Sequence, residues 1–229
     1  MKTAAFAALL VLAVPAHGTE RNFSVTSFNR IRVDGPYQVT VRTNVSPYAK
    51  ASGAQASLDG LSIKVEGRTL IVRAGSGGWG GYPGEARGPV TIEVGTHELS
   101  TAWVNGAGAL FIDKVKGLSF DLAIQGAGVM RIDSADVDQM KVGLSGSAST
   151  RLAGRAAKLT ATVRGTSSLD AESLAVKDAV IGAEGPAMVR ASVSGTAKVD
   201  ALGLASVALA GAPSCMTKTQ GSATVSGCR

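Results

Sequence analysis

The residues of this chain best suited to contact chemistry are Trp79 and Tyr82, set in the run GSGGWGGYPGEARG from Gly75 to Gly88. Glycines at this density give the backbone wide freedom and predict an exposed loop. Aromatic rings held in a polar loop can stack on sugar rings or peptide groups while their polar edge meets water. The plainer alternative is a hairpin loop whose aromatics fold back onto the neighbouring strand face.

Acid–base chemistry on a polysaccharide needs a pair of carboxylates facing one bond. Asp113, Asp133 and Glu172 recur at one place in successive repeats, but Ala153 and Ser192 break the series. Asp133, Asp136 and Asp138 crowd into IDSADVD without the Gly-rich nonapeptide of calcium-binding solenoids, so they read as turn residues. His97 stands beside Glu98 with no nucleophile in view, and reads as a strand-end residue. The GAG triplets at 106–108 and 126–128 complete neither a G-x-G-x-x-G nor a G-K-[ST] phosphate loop, and no G-x-S-x-G elbow occurs. No catalytic, cofactor-binding or metal-binding residue is therefore assigned, and no cofactor is implied. Asp113 with Asp133 is the pair that a polysaccharide-active enzyme of this pattern would use.

Cys215 and Cys228 are the only cysteines. In a chain addressed to an oxidising compartment they predict a disulfide, and closing a loop of that size stabilises by roughly 3 kcal/mol in the chain-entropy model. A zinc site would lack ligands, since two thiols and His97 do not fill a tetrahedron.

The address comes from residues 1–18, where Lys2 precedes the apolar run AAFAALLVLAV and small residues stand at Ala16 and Gly18. That is the outline of a secretory signal peptide, too short in its apolar part to span a bilayer. Residues 19–229 then form one domain: N-terminal hairpins and the Gly-rich loop over 19–100, repeat coils and a C-terminal cap over 101–229. Export places the mature protein in the periplasm, or makes it secreted and associated with the outer surface. No transmembrane segment is expected in the mature chain.

The elements that position any site come from a repeated phrase: VNGAGALFI, IQGAGVMRI, LSGSASTRL, VRGTSSLDA, AEGPAMVRA and VSGTAKVDA. Aligned on Gly106, Gly126, Gly146, Gly165, Gly185 and Gly195, the copies step by about 20 residues and finally by about 10, a period that marks a repeat architecture. Two residues before each glycine stand Val104, Ile124, Leu144, Val163, Ala183 and Val193. Two after it come Gly108, Gly128, Ala148, Ser167, Ala187 and Ala197. Alternate residues of a strand share a face, so an aliphatic line and a line of very small residues both point inward, while Asn105, Gln125, Ser145, Arg164, Glu184 and Ser194 face water. A second segment keeps the same alternation, as in Phe120-Leu122-Ile124 and Met140-Val142-Leu144. One coil cannot bury its own apolar face, and stacking supplies the partner. The pattern predicts an all-β solenoid of about 20-residue coils; an antiparallel β-sandwich is the competing fold, with no reason to repeat the phrase.

Before the coils, FNRIRVDGPYQVTV (28–41) reads as two short strands about a turn at Asp34-Gly35-Pro36, and LSIKVEGRTLIVR (61–73) as two more about Glu66-Gly67-Arg68. Val90, Ile92 and Val94 make another strand. The net charge of +6 comes from scattered side chains, with no Lys/Arg run and no basic helix interleaved with aromatics. Nucleic acid is thus excluded as the expected partner.

The ordered set of FNRIRVDGPYQVTV, LSIKVEGRTLIV, VTIEV and the GAG, SGS and RGT coils resembles the bacterial family described as putative auto-transporter adhesin, head GIN domain, over roughly residues 22–227. The resemblance implies a signal peptide, a right-handed parallel β-helix and no assigned catalytic or binding residue. The stretch after the repeats has no membrane-barrel pattern, so self-sufficient autotransport is not expected. Three functions follow as expectations: a non-catalytic module that adheres to a cell-envelope or extracellular glycan or a surface protein, through the lateral face and the Trp79/Tyr82 loop; a polysaccharide-active enzyme; and a structural envelope protein that self-associates end to end.

Overall fold

A computed structural model describes residues 19–75 and 89–229. Its elements in chain order are β1 (Thr19–Phe23), β2 (Arg30–Asp34), β3 (Gln38–Thr43), β4 (Tyr48–Gly53), a single-turn helix α1 (Gln55–Asp59), β5 (Leu61–Glu66), β6 (Thr69–Ala74), β7 (Thr91–Thr96) and β8 (Thr101–Gly106). The long bent strands β9 (Ala109–Gly126), β10 (Val129–Gly146), β11 (Ser149–Arg164) and β12 (Ser168–Glu184) follow. The chain closes with β13 (Met188–Val193), β14 (Thr196–Gly203), β15 (Ser206–Ala210), β16 (Ser214–Gly221) and β17 (Thr224–Ser226).

The long strands stack in parallel, β9 on β10 on β11 on β12, each turning corners so that one coil contributes to several faces. This is the β-solenoid that the repeat implied. Its first face runs β5, β6, β2, β8, the C-terminal parts of β9 to β12, β14 and β16. Its second face runs β1, β4, β7, β3, the N-terminal parts of β9 to β12, β13, β15 and β17. A short third face is made by the middles of β9 to β12.

Alternation decides what is inside. Val33, Val104, Ile124, Leu144, Val163, Ala183 and Ala201 lie in register as one buried column of the first face. Val39, Leu110, Met130, Thr150, Leu169, Val189 and Val207 make the matching column of the second. Each coil covers the apolar edge of the one below, so stacking removes from water what no single coil could hide.

At the corner between these columns the chain needs glycine. Gly126 has φ +114° and Gly146 φ +97°, and a Cβ on Gly146 would lie 2.5 Å from the carbonyl oxygen of Gly126. The corner glycines with positive φ are Gly35, Gly106, Gly126, Gly146, Gly165, Gly185, Gly203 and Gly221. Two corrections to the sequence reading follow. Gly195 does not belong to this column: its N–H donates to Lys177 O at a different corner, and Val193, Ala197 and Val199 sit over Val176, Ala179 and Ile181. The next true corner after Gly185 is Gly203, so the last coils shorten to 18 residues instead of halving. The reason is that small-residue turns flanked by alternating strands occur at more than one corner, and the local phrase cannot tell them apart.

The second correction concerns the strands before the coils. β5 and β6 do pair as an antiparallel hairpin, but β2 and β3 do not pair with one another. Asp34-Gly35-Pro36 is instead the corner of a first coil: β2 lies under β8 on the first face, β3 under β9 on the second, and Gly35 N donates to Asn105 O. The same order of an acidic residue, glycine and proline recurs in Glu184-Gly185-Pro186 five coils on.

The shortening has a visible cause. Register slips occur between Ile132 and Ala135, Arg151 and Ala153, and Ala171 and Ala175, all where the second face turns into the third. The last slip leaves Glu172, Ser173 and Leu174 without counterparts in the next coil, where Ser192 follows Ala191 directly and stacks over Ala175. In β16 the positions stacked over Val199 and Ala201 are Thr217 and Thr219, so the last coil presents hydroxyls where the others present aliphatics. Cys215 and Cys228 form a disulfide across it, as expected, and Arg229 N donates to Pro213 O.

Candidate functional site

Trp79 and Tyr82 lie outside the described residues. The segment that holds them follows β6 in the chain, and β6 borders a depression on the first face. That depression, of about 480 Å³, is lined by Arg32, Glu66, Thr69, Ile71, Trp103 and Asn105. Alternation again places them: Ile31 and Val33 of β2, Leu70 and Val72 of β6, and Ala102 and Val104 of β8 are all buried, so Arg32, Ile71 and Trp103 point outward. Register then sets them side by side, with Ile71 and Trp103 on either side of Arg32. At strand spacings of about 4.8 Å the row from Ile71 to Trp103 measures about 10 Å.

The polar groups at this row are held in place. Asp34 Oδ1 accepts from Arg32 Nε at 2.9 Å and from Asn105 Nδ2 at 2.6 Å. Glu66 is tied to Arg73 at 3.4 Å. Along the first face beyond Trp103 the outward column continues through Ala123, Gly143, Thr162 and Gly182, which keeps the sheet low. Its borders carry ion pairs, Lys141 with Asp121 at 3.7 Å and Arg164 with Glu184 at 3.2 Å.

Sequence reasoning missed Trp103. The signal was available in Thr101-Ala102-Trp103-Val104, where the strand alternation that buries Ala102 and Val104 leaves Trp103 on the outside. Attention to the glycine-rich loop left this strand residue unread.

The carboxylates do not converge. Asp113 is a corner residue whose Oδ1 accepts from Thr43 N at 3.0 Å and from Thr43 Oγ1 at 3.2 Å. Asp133 pairs with Arg131 on its own strand. Asp136 pairs with Arg155 at 2.6 Å; the hydrogen bond from Arg155 holds its carboxyl below the usual carboxylate range, and Lys116 and Lys114 add to the effect. Asp178 is held low first by the Thr196 hydroxyl and then by the Thr196 backbone N–H. Tyr48 is pushed up to about 12, first by desolvation and then by donating to Glu93 at 2.7 Å. These are structural shifts, each explained by a neighbour on the same sheet. His97 borders a hollow with Thr43, Asn44, Lys114 and Lys116, and its neighbour Glu98 pairs with Arg68. Among the described residues no three His, Cys, Asp or Glu side chains gather as a metal site, and no helix is long and apolar enough to cross a membrane.

Fold and surface together define a class: a repeat solenoid that displays rows of side chains, in register, on flat lateral sheets. The chain belongs to the family described as putative auto-transporter adhesin, head GIN domain, whose model matches residues 27–213. Its fold is similar to that of a putative adhesin from Bacteroides fragilis, with TM-score 0.81 and 14% identity over 92% of this chain and 95% of that one. A putative lipid binding protein from Parabacteroides distasonis is similar at TM-score 0.70 and 16% identity, over 92% and 96%. A putative adhesin from Parabacteroides merdae is similar at 0.69 and 16%, again over 92% and 96%. No curated protein matches the chain.

Proposed function

We propose that this chain is an exported, non-catalytic binding module of the adhesin type, which meets a cell-envelope or extracellular partner through the lateral first face of its solenoid. The observation that carries the reading is the outward Trp103 beside Arg32 and Asn105, whose positions Asp34 fixes. A rigid platform with pre-ordered polar groups loses little freedom on binding, and that favours recognition. Asp113 and Asp133 are engaged at a corner and on a strand instead of facing each other across a cleft, so hydrolysis lacks its pair. An internal lipid site lacks room, because the interior columns among the described residues are filled by side chains almost wholly buried. End-to-end assembly through the C-terminal coil is disfavoured by Thr217 and Thr219, which replace the aliphatic column there.

Export is read from Lys2 and the apolar run that follows it, and the Cys215–Cys228 bond suits an oxidising compartment. The Trp79/Tyr82 segment, entering beside β6, is proposed as an accessory contact to the same face. The test is attachment of the oxidised mature protein to intact bacterial and host cells. Trp103→Ala combined with deletion of 76–88 is expected to abolish attachment; undiminished attachment by that variant overturns the reading.

A further inference from the structure

The groups around Trp103 also narrow the kind of partner, an inference that rests on the binding-module reading. We propose that the depression of Arg32, Glu66, Thr69, Ile71, Trp103 and Asn105 seats a sugar ring of a neutral polysaccharide, stacked on the Trp103 indole and hydrogen-bonded by Arg32 and Asn105.

Charge comes first. The charged groups of the lining each have a counter-ion in place, Arg32 in Asp34 and Glu66 in Arg73. An anionic ligand would have to compete with Asp34 for Arg32, and a cationic one with Arg73 for Glu66. A neutral ligand needs neither exchange.

The unused hydrogen-bonding groups come second. Asp34 occupies Arg32 Nε and Asn105 Nδ2. Among the described residues no further hydrogen bond engages the terminal nitrogens of Arg32, the Asn105 side-chain oxygen or the indole N–H of Trp103. The site therefore offers donors and an acceptor close together, beside an aromatic face. A hydroxyl both donates and accepts, so a ring of hydroxyls with an apolar C–H face matches that set.

The backbone comes third. A peptide captured on a sheet usually adds a strand to a free edge. Here β6 is paired with β5 and β2, β2 with β6 and β8, and β8 with β2 and β9, so the row of Ile71, Arg32 and Trp103 lies inside the sheet, with β5 between it and the edge of the face. The row from Ile71 to Trp103 continues over the low column of Ala123 and Gly143, which gives an extended chain a path away from its anchoring ring.

The experiment uses the oxidised mature protein for calorimetry and cell attachment, and its Trp79→Phe variant, which leaves Trp103 as the single tryptophan, for emission alone. Both are titrated with an array of neutral hexose, pentose and N-acetylhexosamine oligosaccharides and of uronate oligosaccharides. The expected result is a saturable change in Trp103 emission with a neutral oligosaccharide. Calorimetry should then show affinity falling at least about ten-fold in Trp103→Ala and by a smaller factor in Asp34→Asn, which releases Arg32 and Asn105 without touching the core. Neutral sugar binding that leaves Trp103 emission and the Asp34→Asn affinity unchanged overturns the site. Preference for uronates, or no sugar binding by protein that still attaches to cells, overturns the ligand class and leaves the binding module standing. Neither sugar binding nor attachment to any cell overturns both.

Discussion

Two glycines three residues apart on β10 should respond in opposite ways to one added methyl group. Gly146 turns the corner with φ +97°, and a Cβ there would sit 2.5 Å from Gly126 O, a backbone atom that the next coil holds in place. Forcing an L-residue into the left-handed region costs about 1–2 kcal/mol, and overfilling a fixed space adds roughly 1–3 kcal/mol. Gly146→Ala is thus expected to destabilise by about 2–5 kcal/mol, lowering Tm by roughly 10 °C for a chain of this size. Gly143 lies in extended strand, and its added Cβ would meet Ala123 Cβ at an ordinary 3.8 Å. Gly143→Ala should be neutral or stabilising by about 0.5–1 kcal/mol, since alanine restricts the unfolded chain more than glycine. Thermal unfolding of the oxidised mature protein followed by circular dichroism reads both. A Gly146→Ala variant within about 1 °C of wild type, or equal damage from the two changes, refutes the corner geometry.

Other outcomes follow from single side chains. Thr150 is buried in the second-face column with an Oγ1 that has no partner, so Thr150→Val should raise stability by about 1 kcal/mol in urea denaturation. Ser167, also buried, accepts from Ala148 N and donates to Gly146 O; Ser167→Ala should lower stability by about 1 kcal/mol, and equal signs for these two variants would contradict the assignment. Replacing Cys215 and Cys228 with serine should cost roughly 3 kcal/mol and speed amide exchange in β16 and β17 first, and unchanged exchange there would contradict the capping role. Asp178 is held below its ordinary 3.8, so its stabilising contribution is present above that pH and lost as the solution is acidified through the lower folded value. The wild-type advantage over Asp178→Asn in urea midpoint should therefore shrink below pH 3.8, and an advantage independent of pH would refute it.

The stacking of the coils was legible in the sequence because the interior is written twice, once by alternation within a strand and once by the 20-residue return of Val104, Ile124 and Leu144 to one column. What was not legible has one common cause, that a local phrase does not say which corner it turns. Gly195 carries the same small-residue turn as Gly185 yet stands at another corner, and Asp34-Gly35-Pro36 carries ordinary turn chemistry while joining strands that lie on different faces. The site divides in the same way. The disulfide followed from two cysteines and the expectation of export, whereas Trp103 acquires its surroundings only when β6, β2 and β8, distant in sequence, come into register.

Hydroxyl-radical footprinting tests the lateral-face account most directly, because it reads side-chain exposure residue by residue. The mature protein would be oxidised with and without the cell surface to which it attaches. Protection of Trp103 and Ile71, with Leu118, Leu204 and Met216 left as exposed as in the free protein, is the expected footprint. Protection centred on Met216 and the last coil, with Trp103 unchanged, would contradict it and place recognition at the end of the solenoid.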